Sequence, residues 1–289
     1  MSQRLKAEAL LVVTTMIWGS TFVVVKGALR DASPLPFISI RFILAGALLF
    51  LVLRGGWMSA RTLARGFVLG VFLFAGYLLQ TSGLLYTTPS KSAFITGFAV
   101  ILVPFMQTLY GFRLRKATVV GALSGLLGIY FLVLPSGLHA VNHGDLLTLV
   151  GAACFGLHIV LVGSYTRRFS FRHLVPVQIL TVGLLAAFAW PLGLRGRLNW
   201  TVALVGAILL TAVLATGFAF AVQNWAQQFT PPAHTALIFA LEPVFAALTS
   251  RIVMAEHFGG KIVLGSALIL GGMVVSELWG GSSPSPIEG

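Results

Sequence analysis

Ten apolar stretches, each long enough to cross a lipid bilayer, follow one another along this chain with few charges inside them. A bilayer core of roughly 30 Å takes about 20 residues of helix. The windows are 7–29, 35–53, 66–86, 91–112, 117–134, 146–165, 173–192, 202–225, 232–254 and 261–279. Turn signals separate most of them: Ser33-Pro34, Gly55-Gly56, Thr88-Pro89, Pro135-Ser136-Gly137, Pro231-Pro232 and Gly259-Gly260. Lipid offers no partner to an unpaired backbone group, so such runs predict helices. Transmembrane strands would instead leave weak segments of about 10 alternating residues. The expected fold is an all-α polytopic membrane protein. The chain is 57% hydrophobic and only 9% charged. Soluble domains carry roughly 25% charged residues, so there is too little charge here for a water-facing surface.

The net charge of +12 sits in short loops, as in Arg113, Arg115 and Lys116, or Arg167, Arg168 and Arg172. Basic residues at helix ends report membrane orientation; a nucleic-acid binder would gather them on one face. No nucleic-acid partner is expected, and the lipid bilayer is. Arg4 and Lys6 precede the first window, Arg54, Arg61 and Arg65 follow the second, and the loop between the fifth and sixth has no Lys or Arg. The first half thus places both termini on the cytoplasmic side of the cell (inner) membrane. The second half is balanced, since Arg195, Arg197, Arg251 and Lys261 offset Arg167, Arg168 and Arg172. The first window is too long for the h-region of a signal peptide and shows no A-x-A site, so it reads as a retained helix. The tail 280–289, GGSSPSPIEG, is expected to be disordered.

Several chemistries are absent. Cys154 is the sole cysteine, which rules out an internal disulfide. His139 and His143 have i, i+4 spacing with Asp145 nearby, but in a Gly/Asn-containing loop, and no metal is expected. There is no GxxxxGK[ST] loop for ATP and no H-E-x-x-H, and no cofactor is expected. Gly121 and Gly125 form a GxxxG pattern that reads as close helix packing.

The two halves match each other. Trp18-Gly19 pairs with Phe155-Gly156, Pro36 with Pro176, and Tyr86, Thr96 and Pro104 with Trp225, Thr235 and Pro243. Gly121 and Gly128 pair with Gly265 and Gly272, the offset drifting from 137 to 144 residues. Residues 1–138 and 139–279 therefore read as two five-helix repeats. Five crossings leave the chain on the opposite side, so the second repeat is inverted. Inverted repeats place a midplane site between the halves of secondary transporters.

Nearly the whole chain, about residues 7–279, resembles the drug/metabolite transporter superfamily, specifically its EamA-type members. The resemblance is carried by IWGSTFVVVKGAL (17–29), PLPFISIRFILAGALL (34–49), SGLLYTTPSKSAFITGFAVILVPF (82–105) and TPPAHTALIFALEPVFAALTSRIVMAEHFGGKIVLGSALILGG (230–272). It implies a secondary carrier, usually an exporter of amino acids, metabolites or drugs. It also implies a cavity between the repeats, lined partly by helices matching 66–112 and 202–254. One departure is that Glu256 before the last helix is matched by Arg113, Arg115 and Lys116 in the first repeat.

Ionisable groups at membrane depth cost roughly 2.5–3.5 kcal/mol on insertion scales and default to functional roles. Glu242, beside Pro243, is the sharpest. Pro243 has no N–H for the Phe239 carbonyl, and broken helix at that depth is tolerated where it lines a cavity. Glu242 reads as a proton or substrate-amine site, as an ion-pair partner of Lys26 or Arg41, or, if the window is shifted, as a headgroup-level residue. Thr235, Phe239, Glu242, Ala246 and Thr249 share one helical stripe. Thr96, Val100, Val103 and Gln107 form the matching stripe of the first repeat. Pro104 and Pro243 are the paired helix-break candidates. Lys91 reads as a charge at a loop end. His158 reads as a hydrogen-bonding residue or a proton relay. Trp18, Tyr77, Tyr86, Phe98, Trp225 and Phe239 are candidate pocket aromatics, with Tyr86 and Trp225 fitting an interfacial belt. Gln80, Gln107 and Gln178 add neutral polar groups. The candidate cavity set is therefore Trp18, Tyr77, Gln80, Thr96, Gln107, His158, Thr235, Phe239 and Glu242. An apolar cavity with few polar fixtures suits small amphipathic solutes, amino acids first.

The function expected is an exporter working by alternating access, as monomer or homodimer, with Glu242 as the proton-coupling candidate. Two rivals are an intramembrane enzyme acting on lipid and a non-transporting sensor. The first would need a catalytic constellation that one carboxylate does not supply. The second would need a soluble docking domain.

Overall fold

Serine, threonine and asparagine side chains start many of the helices, each accepting a backbone N–H that the first turn leaves free. The computed structural model describes residues 2–53, 58–111, 116–133, 142–192 and 196–280. α1 (Gln3–Ala28) begins at Ser2, whose hydroxyl accepts from Leu5. α2 (Pro34–Leu53) follows. α3 (Ala60–Gly83) begins at Ser59 and α4 (Pro89–Gln107) at Thr88. Then come α5 (Lys116–Val133), α6 (His143–Tyr165, capped by Asn142) and α7 (Phe171–Leu192). The eighth window is built in three pieces: α8 (Val202–Leu210), a π-helical segment Thr211–Phe218 and α9 (Ala219–Ala226). The ninth is broken into α10 (Pro232–Phe239) and α11 (Glu242–Met254), and α12 (Gly260–Gly280) closes the bundle.

Among the described residues, eight spans have the length and hydropathy of a membrane crossing, and two shorter apolar helices within α5 and α12 complete ten. The chain is a multi-pass membrane protein. Its outer face is apolar, with Val202 92%, Phe188 73% and Ile252 72% exposed. Side chains so apolar sit at that exposure when lipid is the solvent. α3 starts six residues before its window because Ser59 caps it and Arg61 and Arg65 point outward. α4 ends at Gln107 and passes into a 3-10 turn, Thr108–Tyr110, short of its expected limit. Gly280, expected in the tail, closes α12. The tail's remainder (281–289), His139 and the boundary between 138 and 139 lie outside the described residues.

The packing has the symmetry of two inverted five-helix repeats. α2 lies against α7, and α5 against α12. α3 packs on α6, and its counterpart, the α8–α9 span, packs on α1. α4 packs on α6, and its counterpart, the α10–α11 span, packs on α1. Each of these contacts has a mate when the halves are exchanged, as a pseudo-two-fold axis in the membrane plane requires. The glycines matched in sequence carry this to atomic detail. A Cβ on Gly128 would stand 2.6 Å from the Gly265 carbonyl oxygen, and one on Gly272 would stand 2.5 Å from that of Gly121. Only glycine permits that approach of α5 to α12.

Polar ties join the halves at the end of the bundle where α1 finishes. Lys91 pairs with buried Asp145 at 2.5 Å, and Thr87 donates to the same carboxylate at 2.7 Å. Thr88 and Ser90, at the start of α4, donate to Glu256 at 2.6 and 2.9 Å, and Ser250 of α11 donates to it as well. Lys26 donates to the carbonyls of Leu84, Leu85 and Thr87, closing the C-terminal end of α3, where a cation is favoured. At the opposite end Glu8 bonds Arg4 at 2.8 Å and His234 at 3.2 Å, linking α1 to α10.

Candidate functional site

The break in the ninth span is where the site begins. Pro243 cannot donate a backbone hydrogen bond, and Ala240 and Leu241 turn on tightened bonds to Leu237 and Ile238. Glu242, half-buried, is thereby set as the first residue of α11, and it opens onto a cleft. The cleft encloses about 850 Å³, counting the space at its mouth. Both repeats supply its walls, from α1, α2, α3 and α4 on one side and α6, α9, α10 and α11 on the other.

Its apolar wall is a run of touching rings. Trp18 meets Phe239 edge-on at 5.0 Å and Phe220 at 5.2 Å. Tyr77 meets Phe155 at 5.3 Å and Phe220 at 6.2 Å. Trp18 is fixed by its indole N–H, which donates to the Ala215 carbonyl at 2.7 Å. That carbonyl belongs to the π-helical segment, whose wider turns recur at functional sites. The same segment supplies Thr216, whose hydroxyl accepts from Arg41 Nε at 2.8 Å. Arg41 is buried, and its guanidinium lies over the rings of Phe42 and Tyr77 at 5.1 and 5.2 Å. Glu242 lines the same cleft, so one basic and one acidic side chain border it together with the Tyr77 phenol.

Glu242 makes no ion pair among the described residues. Lys26 is engaged by carbonyls, and Arg41 by a hydroxyl and two rings. Gly19 explains how Glu242 comes so close to α1: a Cβ there would stand 2.5 Å from the Glu242 carbonyl oxygen and 2.7 Å from Phe245 Cβ. Its sequence mate Gly156 plays the same part in the other half, facing the Ala99 carbonyl.

Of the residues singled out from sequence, Trp18, Tyr77, Gln80, Thr96, His158, Phe239 and Glu242 all line the cleft. Gln80 donates to Thr96 at 2.9 Å. His158 shares a hydrogen bond with Gln178 of α7 at 2.7 Å. Gln107 and Thr235 do not line it; both are buried in packing, each with a side-chain oxygen unpartnered among the described residues. The stripe through Glu242 bends at the break, so Ala246 packs near Gly19 and Thr249 reaches Ser20 at 3.3 Å. In the matching stripe, Val100 lines the cleft and Val103 sits in the core. Pro104 does not break its helix: α4 runs through it to Gln107. It leaves the Val100 carbonyl without its helical partner, and α4 ends within one turn of it. Phe98 is core, Tyr86 is exposed, and Trp225 stacks on Phe229 at a helix end. His143 starts α6 and stacks on Tyr86, and Asp145 is spent on Lys91 and Thr87. No metal-holding group of His, Cys, Asp or Glu occurs among the described residues. Phe220, Phe155 and Gln223 line the cleft without having been picked as site residues. Phe155 had carried a repeat match with Trp18, and that pairing was the available signal.

Comparison with known proteins agrees with the tandem architecture. The EamA-like transporter family matches residues 5–134 and again 142–277. An uncharacterized transporter of Archaeoglobus fulgidus is 38% identical over 278 residues, covering 96% of this chain and 87% of its own. The uncharacterized transporter YoaV of Bacillus subtilis is 24% identical over 285 residues, covering 92% and 94%. The uncharacterized inner membrane transporter YedA of Escherichia coli K12 is 33% identical over 142 residues, 47% of this chain and 46% of its own. One solved crystal structure has the same fold, with a TM-score of 0.71 at 21% identity over 95% of this chain and 99% of that one. Two successive matches to one family, on halves that pack as mirror-ordered partners about a shared cleft, leave a single assignment: the chain belongs to the EamA-like transporter family.

Proposed function

We propose that this transporter exports small amphipathic solutes, amino acids first among them, by proton-coupled alternating access. The observation that carries the reading is Glu242: a carboxyl group without an ion pair among the described residues, at a helix break, in a cleft built by both repeats. A carboxylate there attracts a substrate ammonium. Arg41, held by Thr216, is placed to receive a carboxylate. The rings of Trp18, Phe220 and Phe239 offer a flat apolar wall for a side chain. One carboxylate cannot hold a proton and pair with an ammonium together. Proton and substrate therefore exclude each other, and each half-cycle carries one or the other. Two repeats of like packing can close either end of the cleft at similar cost. The lysine and arginine distribution of the first half supports cytoplasmic termini, with export running from the side of Arg61, Arg65 and Arg167.

The test is flux into liposomes of purified protein under an imposed pH gradient, with an unbiased mixture of amino acids and other metabolites. Wild type is expected to drive uptake of a subset of solutes. Glu242→Gln is expected to lose the pH-driven component while the protein still folds and inserts. Unchanged coupling in that variant would refute the role of Glu242, and the absence of any flux would refute transport of the solutes offered.

A further inference from the structure

Behind the aromatic wall runs a chain of side-chain amides whose polarity can be deduced from its anchored end. Asn224 donates Nδ2–H to the Phe220 carbonyl at 2.9 Å. A backbone carbonyl only accepts, so the Asn224 amide has one possible orientation, with Oδ1 turned the other way. Oδ1 meets Gln178 at 3.0 Å and must accept there, which turns the NH2 of Gln178 toward Asn224. Gln178 therefore shows Oε1 to His158, whose Nε2 lies 2.7 Å away. Two acceptors cannot bond each other, so Nε2 carries the proton. Asn224, Gln178 and His158 are all buried, and such a chain holds its direction because reversing it would strand several groups.

The consequence falls on the other ring nitrogen. With Nε2 committed as donor, the neutral imidazole has Nδ1 as its acceptor. His158 lines the cleft, and Nδ1 neither bonds a described residue nor belongs to the sealed-off, unpartnered polar atoms. The ring stands edge-on to Phe220 at 6.0 Å, next to the apolar wall. We infer that His158 is a specificity-determining residue: the chain from the Phe220 carbonyl through Asn224 and Gln178 fixes its tautomer, so that Nδ1 selects solutes offering an N–H or O–H donor beside a flat apolar group. Any proton that His158 gains also arrives at Nδ1, from the cleft. The selection rests on the cleft being the solute site; the tautomer does not.

The experiment uses the full chain in lipid nanodiscs with 15N-labelled histidine, and His158 is assigned by difference from His158→Gln. Without added solute, near neutral pH, the spectrum is expected to show Nε2 protonated and Nδ1 bare. Asn224→Leu, or Gln178→Met if that variant does not fold, is expected to release the bias and bring in the Nδ1–H form. A wild-type ring protonated at Nδ1 and bare at Nε2 would overturn the inference, as would an unchanged tautomer in the folded variants. Two probes then test selection. Benzylammonium and benzyltrimethylammonium share a ring and a positive charge, but only the first has N–H donors. The Nδ1 resonance is expected to shift with benzylammonium alone. Equal shifts, or none with either, would overturn the selection. Failure of liposome flux would sink the transport reading while leaving the tautomer result standing.

Discussion

Arg41 shows what one residue can and cannot reveal about itself. In sequence it is a cation inside an apolar window, which marks it for function or for the membrane interface. In the fold it is neither snorkelling nor paired with a carboxylate. It is held by Thr216 and lies over Phe42 and Tyr77, whose rings meet each other at 4.8 Å. Planarity makes that possible, and lysine cannot reproduce it. Arg41→Lys is expected to weaken recognition of carboxylate-bearing solutes about tenfold, or about 1.4 kcal/mol, with little effect on their amides. Concentration-dependent counterflow in liposomes, comparing each acid with its amide, measures this; equal effects on both would remove Arg41 from recognition. Glu242, Tyr77 and Trp18 were legible because a polar or bulky group is conspicuous in an apolar run. Phe220 was not, being one of 22 phenylalanines. Gln107 and Thr235 were over-read: a polar group on the right stripe faces the cleft only if the helix is turned that way, and neighbouring helices decide the turn.

Among the elements, the two irregular spans differ in how visible they were. The break at α10–α11 follows from one missing N–H at Pro243. The π-helical segment left no such mark, because residues 202–226 read as one apolar helix whichever way the backbone winds. Yet it is that segment which holds Trp18 and Arg41. Pro104 and Pro243 align in sequence but differ in effect, one absorbed in a final turn, the other splitting a span. The glycine contacts of α5 and α12 were legible only in part: the sequence paired Gly121 with Gly265 and Gly128 with Gly272, and the fold crosses the pairs. Gly128→Ala and Gly272→Ala are each expected to lower stability by about 1–3 kcal/mol through overpacking. Because both widen one interface, the double variant should cost less than the two added together. Thermal unfolding in detergent gives the comparison, and full additivity would mean that the two contacts are independent.

For the molecule as a whole, the alternating access proposed above requires that the ties between repeats at one end open while those at the other hold. Glu256 gathers Ser90 of α4 and Ser250 of α11, one from each half, at the end where α1 finishes. With Cys154 replaced by serine, a short bifunctional crosslinker between Ser90→Cys and Ser250→Cys is expected to stop flux, and cleaving the linker to restore it. Undiminished flux through the crosslinked protein would show that this end need not part. The ten-helix plan and the doubling were legible in advance, since apolar length and repeat spacing survive in sequence. Which helices touch was not, since lipid-facing and protein-facing sides are equally apolar.

The exchange of partners between halves reaches back to the moment of synthesis. When α5 has just left the ribosome, the faces meant for α6, α7 and α12 have nothing to cover them, and the nascent first half can hold few of its final contacts. It must wait in the bilayer, unfinished, for the last helix to be made.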